Sequence, residues 1–324
     1  MSISVKRRRW PLHLLGTALL ATRAVDVRAQ AGAPAAAHAA ASVAPGSARR
    51  LAVVASFSIL ADMVREVAGD AADVTALVGP NTDAHVFQPT PADLQRVAGA
   101  DLVVVNGLGF EGWIDRLVRA SGYRGRVLVA TRGIVPRRLG RAVDPHAWQS
   151  LVYAAHCVEN IRAALVAAAP SRAGQIDRRA ADYAARLAAL DARARAAFDA
   201  VPREQRRILT SHDAFGYLGE AYGLTFIAPR GWSTDAEASA ADVAALIRQV
   251  RGQQVRALFV ENVTDRRLVD RIAQETGARV GGTLYSDALS APGTAADTYL
   301  KMYAHNVDSL GVALRESLAA LRAR

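Results

Sequence analysis

Residues 171–202 read SRAGQIDRRAADYAARLAALDARARAAFDAVP, and their apolar side chains recur with the period of an α-helix. The stripe advances in steps of three, four or seven residues through Ile176, Tyr183, Leu187, Leu190, Ala194, Phe198 and Val201. Pro170 and Pro202 mark its two ends. About 30 residues at a rise of ~1.5 Å predict one helix roughly 45 Å long. We expect a stiff intramolecular helix that joins two lobes, with a coiled-coil dimer seam as the alternative.

On each side of this helix, short β-branched runs alternate with helical patterns. The runs before it are LAVVASF (51–57), DVTALVG (73–79), DLVVVNG (101–107) and RVLVAT (126–131). The runs after it are RRILTS (206–211), LTFIA (224–228), RALFVEN (256–262) and ARVGGTLY (278–285). Such alternation is typical of α/β folds, in which crossover helices connect parallel strands. We therefore predict two α/β lobes with parallel sheets, residues 51–170 and 203–324, because a chain this long exceeds what one core usually holds.

The N-terminal segment has the layout of a secretory signal peptide. Residues 1–31 contain a basic run (6–9), a short apolar run (10–21) and a small-residue cleavage site, AQA. Residues 32–50 are rich in Ala, Pro, Gly and Ser and predict a disordered tether. Cys157 is the only cysteine, so no cysteine that could carry a lipid follows the signal. We expect an exported periplasmic protein that is not lipid-anchored.

Most of the net charge belongs to that N-terminal segment. Residues 1–50 hold eight of the 40 Lys and Arg residues and one of the 30 Asp and Glu residues, a net charge of +7 out of +10. The rest of the chain is nearly balanced, so its arginines do not indicate a nucleic-acid surface. We expect a monomer with no nucleic-acid partner.

Three of the seven histidines lie where a strand or turn gives way to a loop or helix. His85 lies in GPNTDAHVFQPTPADL (79–94), His146 in VDPHAW, and His212 directly after ILTS. Open α/β sheets bind ligands beyond the carboxyl ends of their strands, so these imidazoles can meet in one cleft. Asp287, just past the last predicted strand, supplies a fourth group. This set suits Zn²⁺, and it stays within reach of Mn²⁺ when the carboxylate binds through both oxygens.

Several motifs resemble those of the cluster A-I metal-binding proteins, the periplasmic substrate-binding components of zinc and manganese ABC importers. They are DAHVFQPTPADL, NGLGFEGW, DPHAW, TSHDAFGYLGEAYGL and TLYSDALS, in order along residues 51–322. The resemblance implies two pseudo-symmetric lobes, a rigid linking helix and a transported metal in the cleft. It also implies an integral-membrane permease with a cytoplasmic ATPase as the partner. The ligand positions of the family fall on His85, His146, His212 and Asp287.

The resemblance gives one indication for Zn²⁺ and one against it. Manganese members commonly carry Glu where this chain has His212, and a nitrogen ligand there favours Zn²⁺. Zinc-dedicated members often carry a long loop rich in His, Asp and Glu between the first two ligands, whereas residues 132–143 contain neither histidine nor acid. We predict Zn²⁺ as the transported ligand, with Mn²⁺ as the competitor.

Two other functions stay open on the sequence. A secreted zinc hydrolase would need a water-bound position on the metal and a general base, for which Glu261 is the candidate. An adhesin would need a surface-binding feature. Non-catalytic metal binding is expected instead of an enzyme, because four protein ligands close the coordination sphere. Residues placed where they could orient the ligands are Asp83, Asn106, Glu237 and Glu261.

Overall fold

Two four-stranded parallel sheets organise the computed structural model, which describes residues 49–139, 141–228, 234, 239–252, 255 and 257–322. The predicted signal peptide (1–31) and Glu237 lie outside these residues, as does the predicted tether (32–50) except Arg49 and Arg50.

Strands and helices alternate through both lobes, as the sequence predicts. The first lobe contains β1 (Leu51–Phe57), α1 (Ser58–Ala68), β2 (Ala72–Val78), α2 (Pro91–Ala98), β3 (Leu102–Val105), α3 (Ile114–Ala120), β4 (Arg126–Val129), β5 (Arg138–Leu139), β6 (Ala142–Val143) and α4 (Leu151–Ala168). The long helix α5 (Ala173–Asp199) follows. The second lobe contains β7 (Arg207–Leu209), α6 (Gly216–Tyr222), β8 (Thr225–Ile227), α7 (Ala240–Gly252), β9 (Ala257–Glu261), α8 (Arg267–Thr276), β10 (Arg279–Leu284) and α9 (Tyr299–Arg322).

Both sheets are built in the same order around their first strand. In the first lobe, β1 pairs with β2 on one side and β3 on the other, and β4 forms the far edge. In the second lobe, β7 pairs with β8 and β9, and β10 forms the far edge. Each sheet therefore has a switch point, between β1 and β3 and between β7 and β9, where parallel sheets open a crevice at their carboxyl edge. The prediction of two parallel α/β lobes is confirmed.

The apolar stripe of α5 is buried inside the molecule. Ile176, Tyr183 and Phe198 are fully buried, and the helix packs against α1, α4 and α9. Burial of each such side chain stabilises the fold by about 1.5–3 kcal/mol. The predicted long intramolecular helix is confirmed, and its stripe is not free to form a coiled-coil seam. The helix is shorter than residues 171–202, because Pro170–Arg172 form a 3₁₀ turn before it.

Hydrophobic packing is continuous across the predicted lobe boundaries. One cluster includes Val53 and Leu165 of the first lobe, Phe198 of α5, and Phe259 and Leu310 of the second lobe. A smaller cluster lies in the second lobe, mainly between α7, α8 and their sheet. The boundaries at residues 170 and 202 therefore stay a prediction.

Among the residues that the structure describes, α4 is the one helix that is long and apolar enough to cross a membrane. Long helices in the cores of proteins share this composition. One side of α4, including Leu151, Ile161 and Leu165, is buried, and the helix packs against α5 and α1. We interpret it as a core helix.

A short antiparallel hairpin, β5–β6, precedes the second predicted ligand and was not predicted. Arg138 pairs with Val143, and Leu139 with Ala142. The run RRLGRAV has neither the alternation nor the β-branched content that predicts a strand.

Candidate metal centre

The four residues predicted as metal ligands converge between the carboxyl edges of the two sheets. His85 lies in the loop after β2, His146 after the β5–β6 hairpin, His212 after β7 and Asp287 after β10. Their candidate ligand atoms all lie within 4.8 Å of one another. His146, His212 and Asp287 are fully buried, and the side chain of His85 is only 5 % exposed.

The Nε2 atoms of the three imidazoles face one another and the Asp287 carboxylate. His85 Nε2 lies 3.4 Å from His146 Nε2 and 3.3 Å from Asp287 Oδ2. His212 Nε2 lies 3.1 Å from Asp287 Oδ2. His146 Nε2 lies 3.6 Å from Asp287 Oδ1. Both oxygens of Asp287 are buried without a well-aligned hydrogen-bond donor among the described residues, a condition that calls for another partner such as a cation.

Charges within this cluster shift two pKa values in opposite directions. Burial alone would raise the pKa of Asp287, but the imidazoles of His212 and His146 hold it well below its ordinary value of 3.8. Burial alone would lower the pKa of His212, but the carboxylates of Glu261 and Asp287 raise it well above 6.5. The site is therefore arranged so that negative charge stays on Asp287 and positive charge is favoured among the nitrogens.

Two carboxylates, one in each lobe, lie beside Nδ1 of buried imidazoles. Asp144 Oδ1 accepts the backbone N–H of His146 at 3.0 Å and lies 2.8 Å from its Nδ1. Glu261 Oε1 accepts the backbone N–H of His212 at 2.8 Å, and Oε2 lies 2.6 Å from His212 Nδ1. Asp144 thus hydrogen-bonds Nδ1 of His146, whereas Glu261 lies at ion-pair distance from Nδ1 of His212 without an aligned hydrogen bond. In both histidines Nε2 is left to face the other ligands.

Sequence reasoning named Glu261 as an orienting residue but missed Asp144. Its position two residues before His146, in the motif DPHAW, is the signal that the sequence offers. Of the other candidates, Asp83 Oδ1 accepts the backbone N–H of His85 at 2.9 Å. Asn106 Nδ2 donates to the carbonyl of Pro145 at 3.0 Å, next to His146. Both residues thus hold the backbone near ligands.

The NGLGFEGW loop (106–113) packs the phenyl ring of Phe110 against two of the imidazoles. The Phe110 ring centroid lies 4.7 Å from that of His85 and 6.0 Å from that of His146. Glu111 holds the loop: its carboxylate accepts the Ser56 hydroxyl and the Asn106 backbone N–H, both at 2.6 Å. Burial raises the pKa of Glu111. The loop therefore shields the imidazoles from water with an apolar ring.

The backbone beside two of the predicted ligands is joined across the lobes. The carbonyl of Ser286, next to Asp287, accepts hydrogen bonds from Trp148 Nε1 at 2.8 Å and from Gln149 Nε2 at 2.9 Å. Both donors follow His146 closely in the chain. The spacing between His146 and Asp287 is therefore held by protein hydrogen bonds.

Comparison with known proteins gives the family. The family model described as "ZnuA: Zinc-uptake complex component A periplasmic" matches residues 53–313. The chain belongs to the ZnuA family. The resemblance to metal-binding components of ABC importers is thereby confirmed.

Relatives of this ZnuA-family chain are named for different metals. The manganese-binding lipoprotein MntA of Bacillus subtilis (strain 168) is 31% identical over 277 residues, which cover 82% of this chain and 90% of that protein. The iron ABC transporter substrate-binding lipoprotein MtsA of Streptococcus pyogenes serotype M1 is 30% identical over 276 residues, 82% of this chain and 89% of that protein. The structure of the periplasmic zinc-binding protein TroA from Treponema pallidum superposes with a TM-score of 0.79 at 29% identity, over 82% of this chain and 99% of that one.

These relatives decide the class of function. They are substrate-binding proteins of metal transporters, so the ZnuA-family chain is a metal-binding component of an ABC importer and not an enzyme. The hydrolase alternative is thereby set aside. An importer of this kind implies a permease and an ATPase as partners.

The prediction of a periplasmic protein that is not lipid-anchored is wrong. Several relatives are named lipoproteins, which a lipid anchors on the outside of the cell membrane. The prediction relied on the lack of a cysteine after the apolar run of residues 10–21, and that part of the chain lies outside the described residues.

Proposed function

We propose that this chain binds one Zn²⁺ ion between its lobes and delivers it to the permease of an ABC importer. The proposed ligands are Nε2 of His85, His146 and His212 and the carboxylate of Asp287. The proposal extends the family assignment to a particular metal and to particular residues.

The observation that carries the proposal is the spacing of the ligand atoms. Zn–N and Zn–O bonds of about 2.0–2.2 Å in a tetrahedron require neighbouring ligand atoms to be about 3.3–3.6 Å apart. Three separations fall within this range: 3.3 Å between His85 Nε2 and Asp287 Oδ2, 3.4 Å between His85 Nε2 and His146 Nε2, and 3.6 Å between His146 Nε2 and Asp287 Oδ1. The distance between His212 Nε2 and Asp287 Oδ2 is slightly shorter, at 3.1 Å. This agreement supports a shared cation at the centre of the four groups.

The donor atoms favour zinc over manganese. Three imidazole nitrogens and one carboxylate are typical of Zn²⁺ sites, whereas Mn²⁺ prefers a larger share of oxygen ligands. Manganese remains the second candidate because the two oxygens of Asp287 face different imidazoles, Oδ1 towards His146 and Oδ2 towards His212. That orientation would also suit a carboxylate binding through both oxygens.

Calorimetric titration of the metal-stripped chain tests the proposal. We expect one Zn²⁺ per chain, and His85→Ala should weaken binding at least about 100-fold because one of four bonds is lost. His156→Ala is the matched control: His156 Nε2 contacts the Arg132 carbonyl at 2.7 Å, outside the cluster. Equal affinity in His85→Ala and the unaltered chain would refute the proposed ligand set. Tighter binding of Mn²⁺ than Zn²⁺ in direct competition would favour the manganese alternative.

A further inference from the structure

We propose that Arg137 is a positioning residue of the metal centre. It acts through Asp144, the carboxylate that orients His146, and it secures this carboxylate against helix α6 of the other lobe. Loss of the arginine then weakens metal binding and speeds metal release. The inference rests on the proposed function, because it assumes that His146 is a ligand.

Arg137 lies between a buried and an exposed carboxylate. Its Nη1 donates to Asp144 Oδ2, and its Nε donates to Glu220 Oε1 at 2.7 Å. The three side chains become steadily more exposed along this path: 0 % for Asp144, 25 % for Arg137 and 65 % for Glu220. Two charge-assisted contacts therefore lead from the surface to a carboxylate that holds a predicted ligand.

Asp144 divides its two oxygens between the arginine and the histidine. Oδ1 holds the backbone N–H and the Nδ1 of His146, while Oδ2 accepts from Arg137. A buried carboxylate that loses its cationic partner must turn towards another donor or admit water. Either change would rotate the carboxylate away from His146 Nδ1. The direction in which His146 Nε2 points therefore depends on Arg137.

Helix α6 begins with a glycine, which leaves space for the guanidinium of Arg137. A Cβ atom on Gly216, the first residue of α6, would lie 1.6 Å from Arg137 Nη1, so a larger residue there would displace the arginine. The backbone N–H of Arg137 donates to Tyr217 Oη at 2.9 Å, and that hydroxyl donates to the Asp144 carbonyl at 3.0 Å. The Arg137 guanidinium carbon also lies 5.5 Å from the centroid of the Tyr217 ring.

These contacts couple predicted ligands of different lobes. Arg137 and Asp144 flank the hairpin that precedes His146, whereas Gly216 and Tyr217 follow the loop that carries His212. A displacement of α6 relative to the hairpin would therefore pull on the Asp144–His146 contact. Arg137 thereby makes the geometry of the metal centre sensitive to the position of α6.

Two variants that disturb the same contact by different means test the inference. Arg137→Gln removes the charge, whereas Gly216→Ala leaves every charge in place and displaces the guanidinium sterically. Arg137→Lys restores a cation without the planar fork and should recover part of the loss. Arg162→Gln is the matched control, because Arg162 is 29 % exposed, also pairs with two carboxylates, Glu159 and Asp177, and is remote from the cluster.

Three measurements on the full chain are compared: Zn²⁺ affinity by chelator competition, Zn²⁺ release by stopped flow, and the visible spectrum of Co²⁺ bound in place of Zn²⁺. We expect Arg137→Gln and Gly216→Ala each to weaken affinity about tenfold, the lower end of the loss when a partner of a ligand is removed. Both should speed release and alter the Co²⁺ spectrum, which a purely structural role would leave unchanged. Thermal unfolding of the metal-free forms checks that each variant is folded.

The possible outcomes separate this inference from the proposed function. Affinity, release and spectra within twofold of the unaltered chain in a folded Arg137→Gln or Gly216→Ala variant overturn the role of Arg137 alone. An equal loss in Arg162→Gln also overturns it, because the effect would then not be specific to this contact. If the unaltered chain binds neither Zn²⁺ nor Mn²⁺, the proposed function fails and the inference fails with it.

Discussion

Glu261 contacts His212 at two points: Oε1 accepts the backbone N–H at 2.8 Å, and Oε2 lies 2.6 Å from Nδ1. The carboxylate therefore holds the backbone of His212 by a hydrogen bond and places negative charge beside its imidazole. In the other lobe, Asp144 Oδ1 alone contacts both the backbone N–H and Nδ1 of His146. Glu261 is the last residue of β9, whereas Asp144 lies in the loop two residues before His146, so different elements bring a carboxylate to Nδ1 in each lobe.

Replacing Glu261 by Gln is expected to weaken Zn²⁺ binding about 10- to 100-fold. Glutamine keeps the size of the side chain but loses the negative charge that lies 2.6 Å from His212 Nδ1. Chelator competition measures the change, and Glu159→Gln, an exposed residue paired with Arg162, is the control. Unchanged affinity in a folded Glu261→Gln variant would contradict the orienting role.

Zinc affinity is expected to rise with pH across neutrality. The carboxylates of Glu261 and Asp287 outweigh burial and raise the pKa of His212 well above 6.5, which favours a protonated imidazole in the metal-free protein. Zn²⁺ must displace that proton. Titrations between about pH 6 and 8, in buffers of different ionisation enthalpy, should detect increasing affinity together with proton release. A flat profile without proton release would refute this assignment.

The raised pKa of His212 also determines whether the free energy of unfolding of the metal-free protein rises or falls with pH. A histidine whose pKa is raised by folding contributes stability that is complete below pH 6.5 and is lost as pH rises through the folded-state pKa. We expect the free energy of unfolding contributed by His212 to fall above neutral pH in the metal-free chain. Denaturant unfolding of the zinc-loaded chain is the control, because the bound imidazole no longer titrates there.

Replacing Asp62 by Asn is expected to stabilise the protein at neutral and alkaline pH. Burial raises the pKa of Asp62 from 3.8 to about 6, although its carboxylate accepts the Tyr299 backbone N–H at 2.8 Å. The favourable contribution of the neutral carboxyl is complete below 3.8 and is lost as pH rises through about 6. Asparagine keeps an oxygen for Tyr299 and avoids that loss. We expect about 1–3 kcal/mol of added unfolding free energy at about pH 8 and little change near pH 4.

Denaturant unfolding at both pH values checks this difference. Asp182→Asn, at an exposed position of α5, serves as the matched substitution and should not show such a pH-dependent gain. A gain of equal size at both pH values would show that the carboxylate charge is not its cause.

Replacing Tyr183 by Phe should increase the free energy of unfolding by about 1 kcal/mol. The Tyr183 hydroxyl is buried in the α5 stripe without a hydrogen-bond partner in the described part of the chain, so the ring alone stabilises the fold. Tyr303→Phe provides the contrast, because its hydroxyl donates to the Gln149 carbonyl at 2.9 Å and its loss should destabilise by a similar amount. Equal effects of the two substitutions would contradict this interpretation.

The sheets and the cluster of predicted ligands could be anticipated because both follow from local sequence features. Strand β3, for example, is rich in β-branched valine and is buried along its whole length. Such a composition can be recognised from the sequence alone. The cluster followed from a topological rule, since His212 and Asp287 come directly after strands whose carboxyl ends share an edge. The family resemblance then selected the same residues.

The contacts of Arg137 could not be anticipated. Its partners Tyr217 and Glu220 lie 80 and 83 residues along the chain, and Gly216 matters only because the guanidinium occupies the space above its Cα. Periodicity reports which face of an element is buried, but it does not report which loop of one lobe meets which helix of another. The β5–β6 hairpin was missed because two-residue strands carry no periodic signal.

The hydrophobic cluster shared by α1, α4, α5 and α9 has a consequence for how the chain can be divided. A fragment that stopped at residue 170 would lose α5, against which α4 with Ile161 and Leu165 packs. A fragment that began at residue 203 would lose Phe198, whose ring centroid lies 5.5 Å from that of Tyr222 in α6. Neither half retains a complete interior. The smallest autonomous folding unit is therefore the continuous run from β1 through α9, and ribosomal synthesis must approach α9 before the native interior can close.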